Sequence, residues 1–329
     1  MAAEVKTAFP KPLVVCSACL GFKACRYNAV TIYDPLVEKL KAEAELLPVC
    51  PEVEIGLGVP RDPIRVVLVE GRRILFQPAT ERDVTEPMRE FARRHLEGLG
   101  PVDGFLLKGR SPSCGTRDVK IYHSPRPEAG ATRGAGLFGE EVLARFPAHP
   151  VEDEGRLKSF AIREHFLISL YLLAELRLLT RPGERSIQRL IDFHTRHKLL
   201  LMAYSQSRMR AMGRALAAYD RTNLAEVARL YEEGLRQALA KPLSCTAMIN
   251  ALQHAFGGLT GELFADERRF FLGALEEYRD ERVPLAVPLR LLEAWALRQG
   301  NSYLLSQSLL NPYPRSLVEI TDSGKGRDL

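Results

Sequence analysis

Three short apolar runs in the first 115 residues each open into a loop that carries cysteine. They are Val14-Val15 before Cys16-Ser17-Ala18-Cys19, Val49 before Cys50-Pro51-Glu52, and Leu106-Leu107 before Lys108-Gly109-Arg110-Ser111-Pro112-Ser113-Cys114-Gly115. Strands buried in a parallel sheet read as continuous apolar runs. In an open α/β sheet the loops at the carboxyl ends of the strands gather along one edge, where ligands bind. The pattern therefore predicts a fold that brings cysteines distant in sequence to one place. Glycine and proline in the same loops suit fixed backbone shapes that approach a bound group closely.

The segments between these runs fit that fold. Asp34-Pro35 starts a helix reaching about residue 46, because Asp accepts free amides and Pro tolerates the first turn. Residues 47–50 read as a strand, 66–69 and 73–76 as a hairpin about Gly71, 85–96 as a helix, and 102–107 as another strand. The expectation is a three-layer α/β domain with a mostly parallel sheet over residues 1–150. Beyond it the strand signal fades. Apolar periodicity predicts helices over 156–180, 184–219, 223–240, 245–256, 262–281 and 285–299, hence an all-α helical domain over 151–329. A 46% hydrophobic content is enough for two cores. The longest apolar stretch, 166–179, is interrupted by Glu175 and Arg177, which excludes a transmembrane helix there. Residues 1–12 lack the apolar core of a signal peptide, so a cytoplasmic location and no membrane partner are expected.

In that compartment six cysteines are not a disulfide framework; reduced thiols for metal or catalysis are expected. Five of them (Cys16, Cys19, Cys25, Cys50 and Cys114) precede residue 115, and only Cys245 follows. Structural zinc usually shows two close cysteine pairs, and here Cys16/Cys19 is the single one. A thioredoxin-like pair normally opens a helix, which Gly21 to Arg26 does not clearly do. An iron–sulfur cluster held by thiolates from separate loops fits best. A four-iron cluster with three protein thiolates leaves one iron open to a soft ligand such as sulfur.

Longer motifs surround these cysteines: Ser17-Ala18-Cys19-Leu20-Gly21, Cys25-Arg26-Tyr27-Asn28, Cys50-Pro51-Glu52-Val53, Pro60-Arg61, and Leu107-Lys108 through Ser111-Pro112-Ser113-Cys114-Gly115. Through them the first 150 residues resemble the thiouracil desulfidase (TudS) family. The second half resembles a helical domain often fused behind it, through Phe193-His194, His197-Lys198, Asn250, Gln253-His254 and Val287-Pro288-Leu289. Two-domain members are similar to tRNA 4-thiouridine desulfidases. The resemblance implies a [4Fe-4S] cluster on Cys19, Cys50 and Cys114. Cys16 stands where relatives usually carry an aliphatic residue, and Cys25 is a reserve ligand.

Replacing C=S by C=O needs a thiophile and an acid/base group but no net electron transfer. Glu52, two residues after a ligand, is the candidate general base or acid, and Ser111 the candidate proton or hydrogen-bond donor. Asn28, Arg26, Lys108 and Arg110 are candidate substrate contacts; Arg61 is a further cation for base, sulfide or phosphate, or for a structural salt bridge. Residues 177–214 hold nine Lys or Arg against Glu184 and Asp192, a surplus of seven, against a net charge of +5 for the whole chain. Such a stripe is either a solvated helix face or a polyanion footprint. The second reading makes Arg189, Arg196 and Lys198 tRNA contacts, with His194 and His197 on an RNA-facing surface or capping a neighbouring helix. The expected activity is conversion of thiolated uracil, foremost 4-thiouridine in tRNA, with free thiouracils or non-catalytic RNA binding as alternatives.

Overall fold

The computed structural model describes residues 9–125 and 130–319. The chain divides into two compact units. One comprises residues 9–174 with 316–319 among the described residues, and the other Glu175–Arg315.

The first unit is built on two sheets. The strands β1 (Leu13–Ser17), β2 (Glu45–Val49), β6 (Gly104–Leu107) and β9 (Val151–Asp153) form an all-parallel sheet in the order β2-β1-β6-β9. Ser17 is registered with Val49, Cys16 with Leu106, and Leu107 with Asp153. The carboxyl ends of all four strands therefore lie along one edge. The second sheet has the order β5-β4-β3-β7-β8, from β3 (Arg65–Val69), β4 (Arg72–Gln77), β5 (Arg82–Asp83), β7 (Val119–Tyr122) and β8 (Ala131–Gly134). The β3–β4 pair is the expected hairpin, but it starts a separate mixed sheet in which β3–β7 is the parallel pairing. Four of these nine strands have two to four residues and expose most side chains or alternate weakly, which is why periodicity misses them.

Helices cover both faces of the parallel sheet. Val15, Phe105 and Leu107 share a buried cluster with Met88, Ala92 and Leu96 of α3 (Thr85–Glu97) and Leu137, Phe138 and Val142 of α4 (Leu137–Arg145). Val66, Leu75, Val119 and Ile121 of the second sheet complete this cluster. On the opposite face Gly104 admits α5 (Phe160–Thr180): a Cβ there would stand 2.5 Å from Leu170 Cδ2. Tyr171 of α5 donates to the Glu43 carbonyl at the end of α1 (Pro35–Glu43). Asp34 caps α1 as expected, accepting from the Leu36 and Val37 amides at 3.0 and 3.1 Å.

This packing accounts for the boundary. The change of sequence rhythm falls near residue 150, whereas the compact units part at Ala174/Glu175, within α5. The first turns of this helix belong to the sheet they cover.

The second unit is helical throughout its described residues: α6 (Ile187–Ala217), α7 (Leu224–Ala238), α8 (Cys245–Gly257), α9 (Ala265–Arg279), α10 (Ala286–Gln299) and the short α11 (Ser302–Leu305). The long α6 is broken at Ser205, whose backbone is extended. Its core holds Leu199, Leu200, Leu201 and Met202, and Trp295 packs against Phe256 and Phe271. Among the described residues no helix is long and apolar enough to cross a membrane.

Candidate active site

Because the four parallel strands end together, the segments that follow them meet. Cys19 follows β1, Cys50 follows β2, the Lys108–Cys114 loop follows β6 and Glu154 follows β9. Cys50 starts a single helical turn, α2 (Pro51–Glu54), so Glu52 turns back towards the same edge. The Cys114 loop is held by the first turn of α4, whose Gly136, Leu137 and Gly139 amides donate to the Gly115, Pro112 and Ser113 carbonyls. Glycine is required there: a Cβ on Gly136 or Gly139 would lie 2.5 or 2.4 Å from a loop carbonyl oxygen.

These segments enclose a cavity of about 330 Å³ lined by Cys19, Cys25, Cys50 and Cys114 together with Glu52, Ser111, Arg26, Lys108 and Arg110. Asn28 is exposed and does not line it. Cys16 does not line it either; the thiol is fully buried against the Ser17 carbonyl, as a side chain of the strand interior. The close Cys16/Cys19 spacing therefore crosses the sheet rather than forming a pair.

The cavity's electrostatics are those of crowded sulfur. Burial pushes the Cys19 thiol up to about 12, helped by Cys50 and Glu52. Burial likewise raises Cys50 to about 12 and Cys114 well above its ordinary value, and Cys25 also moves up. Ionised together, these donors need a cation among them. Among the described residues no three His, Cys, Asp or Glu side chains converge as ligands of a single metal ion. Soft sulfur donors gathered on one cavity suit a thiophilic metal group.

Glu52 is the hub of the polar contacts. Its Oε2 is paired with the Arg61 guanidinium, whose side chain is 2% exposed. Its Oε1 accepts from Ser113 Oγ at 2.8 Å and from Ser111 Oγ at 3.4 Å. Ser111 Oγ also accepts from the Ser113 and Cys114 amides, both at 3.2 Å, which orients it. Lys108 is paired with Glu154, whose other oxygen accepts from the Gly109 amide at 2.8 Å. Arg26 lies over the exposed Tyr27 ring at 5.5 Å, and among the described residues neither Arg26 nor Arg110 has an acidic partner.

Sequence reasoning missed Ser113 and Glu154 and left Arg61 among interchangeable cations. The Ser-Pro-Ser spacing around Pro112 was the available signal for Ser113. The brevity of β9 hid Glu154.

The basic stripe is not uniform. Arg189 is exposed and paired with Glu184 at 3.1 Å. Arg196 is paired with Glu175. His197 is buried between Ser308 Oγ at 2.7 Å and Glu175 Oε2 at 3.1 Å, and His194 contacts the Tyr231 hydroxyl at 3.1 Å. His197 thus belongs to the helical core, not to an RNA-facing surface, because Phe193 and Ser308, in the turn after α11, close over it. Lys198, Arg208, Arg210 and Arg214 are exposed, and among the described residues none has an acidic partner.

Comparison with known proteins agrees with the position of the site. The 2-thiouracil desulfurase family matches residues 14–154, and a family described as a protein of unknown function (DUF1722) matches 198–314. The uncharacterized protein YbbK of Bacillus subtilis (strain 168) is 32% identical over 111 residues, covering 32% of this chain and 74% of that protein. The uncharacterized protein YbgA of Escherichia coli (strain K12) is 26% identical over 159 residues, covering 48% of this chain and 93% of that protein. A solved structure described as a [4Fe-4S]-dependent thiouracil desulfidase, TudS, is 30% identical, covering 45% of this chain and 93% of that chain, with a TM-score of 0.36. Because the desulfurase family model spans the cysteine-bearing strand ends and YbbK is 32% identical over 74% of its length, the chain belongs to the 2-thiouracil desulfurase family.

Proposed function

We propose that the protein is an iron–sulfur-dependent, non-redox desulfidase that converts thiolated uracil, in the form of 4-thiouridine in tRNA, to the oxo base with release of sulfide. The observation that carries this reading is a carboxylate set beside three thiols. Glu52 opens on the same cavity as Cys19, Cys50 and Cys114, with Ser111 within hydrogen-bonding distance. A pure metal sensor needs the thiols but not the acid/base pair. The desulfurising family of residues 14–154 supports the same chemistry.

Cys19, Cys50 and Cys114 would hold a [4Fe-4S] cluster, with Cys25 adjacent to Cys50. When bound, the cluster supplies a soft, thiophilic metal site for the substrate sulfur. The protein's own residues supply the rest. Glu52 takes a proton from the water whose oxygen adds to the ring carbon. Ser111 presents its hydroxyl to the pyrimidine and relays a proton to or from Glu52 Oε1, 3.4 Å away. Arg26 and Arg110 hold the pyrimidine or its phosphate at the mouth, and Lys108, anchored by Glu154, shapes the β6 loop. Overall the oxygen of water replaces sulfur, hydrogen sulfide leaves, and no electrons are gained or lost.

The exposed cations Lys198, Arg208, Arg210 and Arg214, with Arg189, support phosphate contacts to tRNA. Arg196, tied to Glu175 beside His197, braces the helical core rather than phosphate.

The test is anaerobic purification of the full chain with iron and sulfide analysis, followed by assays on 4-thiouridine in tRNA and on free thiouracils. About four irons per chain and loss of the thione from tRNA are expected. A colourless protein with stoichiometric zinc would end the reading. Turnover of free thiouracils alone would remove tRNA from it, and tRNA binding without turnover would make the protein a non-catalytic RNA binder.

A further inference from the structure

Arg61 is the most buried cation at the site; it does not line the cavity and meets the reacting groups only through Glu52. Its Nη2 pairs with Glu52 Oε2, and its Nη1 donates to the Cys25 and Gly58 carbonyls, each at 2.9 Å. Its backbone amide donates to the Tyr27 carbonyl at 2.9 Å. The Cys50 thiol points to the same Cys25 carbonyl at 3.7 Å. One residue thus ties together the Cys25–Tyr27 loop, the Cys50–Glu52 turn and the Gly58 loop.

We propose that Arg61 is the positioning residue of this site: it fixes Glu52 so that Oε1, beside Ser111, is the oxygen that moves the proton, and it clamps the Cys25–Tyr27 loop against the cavity. The first half rests on the reading that Glu52 is the acid/base group; the second does not. A planar guanidinium donates in fixed directions to a carboxylate and two carbonyls at once, which an ammonium does not. With Oε2 engaged by Arg61, Oε1 is the oxygen that faces Ser113 and Ser111. Burying a full charge is costly unless it is paired and hydrogen-bonded, so the guanidinium is held where Glu52 and the two carbonyls fix it. A catalytic group misplaced by about 1 Å loses roughly 100-fold in rate, so this anchoring is a kinetic matter as well as a structural one.

The test uses the full chain as Arg61→Lys and Arg61→Ala, loaded and apo. Arg61→Lys should keep wild-type iron content and KM within about twofold while kcat falls on the order of 10–100-fold. Arg61→Ala should fall further and be partly restored by millimolar guanidinium, which should not restore Glu52→Gln. In the apoprotein, iodoacetamide should label Cys25 and Cys50 of Arg61→Lys about tenfold faster than in wild type, with Cys16 unchanged, the rate scaling with loop opening. Lysine keeps the charge, so this change reports geometry. If Arg61→Ala does not fold, the lysine variant decides. Wild-type kcat and labelling rates in Arg61→Lys would overturn the proposal, as would a folded, iron-bearing Arg61→Ala that guanidinium leaves inactive. A wild-type protein that turns over no thiolated pyrimidine defeats the functional reading instead, and the labelling rates still judge the clamp.

Discussion

The cations of the α/β cavity and those of the helical unit look alike in sequence and differ in the structure. Around the cavity Arg61 and Lys108 are each paired with a carboxylate and largely shielded from water. On α6, Arg196 is tied to Glu175 while Lys198, Arg208, Arg210 and Arg214 point to solvent without acidic partners among the described residues. A shielded, paired charge orients its partner and is costly to disturb. An exposed, unpaired charge contributes little to stability but remains available to a polyanion. Partnership, rather than residue type or local density, separates architecture from binding surface.

The largest effect should come from the sulfur donors of the cavity. Alanine at Cys19, Cys50 or Cys114 should abolish iron binding, whereas Cys16→Ala and Cys245→Ser should retain it, read by iron and sulfide analysis and visible absorption. Loss of iron in Cys16→Ala but not in Cys50→Ala would restore the close pair and break the cavity account. Next, Glu52→Gln should keep the colour and lose about 100- to 10,000-fold in kcat, the range of general acid–base catalysis. A fully active Glu52→Gln would move proton transfer elsewhere in the cavity.

Three of the four parallel strands and the long helices were legible because their patterns are unmixed: Val14-Val15 and Leu106-Leu107 are continuous apolar runs, and α6 to α10 keep helical periodicity for 13 to 31 residues. Of the second sheet only the β3–β4 hairpin was, since Arg82–Asp83 and Ala131–Gly134 carry no strand pattern of their own and exist by pairing with neighbours. At the site, residue types fixed in motifs were legible, so Cys19, Cys50, Glu52, Ser111 and Cys114 do converge on one cavity. Partner choice was not. Arg61 meets Glu52 through the Gly58 loop, and Glu154 meets Lys108 only because β9 lies beside β6. His197 illustrates the opposite error: helical spacing places it near cations, while burial assigns it to the core.

A third prediction tests the comparison inside the helical unit. Arg208, Arg210 and Arg214 changed together to Gln should weaken tRNA binding and lower the log–log salt slope by up to about three, at roughly 0.9 per phosphate contact. Arg196→Gln should instead leave the slope nearly unchanged and lower stability, because it strands Glu175 beside His197. Fluorescence anisotropy across a salt series and thermal melts separate the two. An Arg196→Gln slope change as large as that of the triple variant would erase the distinction between paired and unpaired cations.

The smallest effect is a difference in acid sensitivity between the two units. Burial, with Arg196 second, pushes His197 well below its ordinary value, and burial lowers His194 as well. Folded, these imidazoles stay neutral where the unfolded chain, with a histidine pKa of about 6.5, binds protons. The unfolded state therefore holds more protons, and stability contributed by neutral His197 is lost as pH falls below about 6.5. In the α/β unit two neighbours oppose each other. Burial lowers His165 to about 4, so acidification through the same window destabilises. Burial raises Glu164 to about 7, so the folded state holds its proton, and acidification from about 7 restores stability lost at higher pH. Each uncompensated group changes stability by at most about 1.4 kcal/mol per pH unit. Native-state amide exchange at pH 7 and 5.5, corrected for intrinsic rates, should show α6 and α7 losing protection while β1 and β6 largely keep theirs. Equal loss in both units would show that the buried network around His197 is no more exposed to acid than the pair on α5, and would remove proton occupancy from the differences between them.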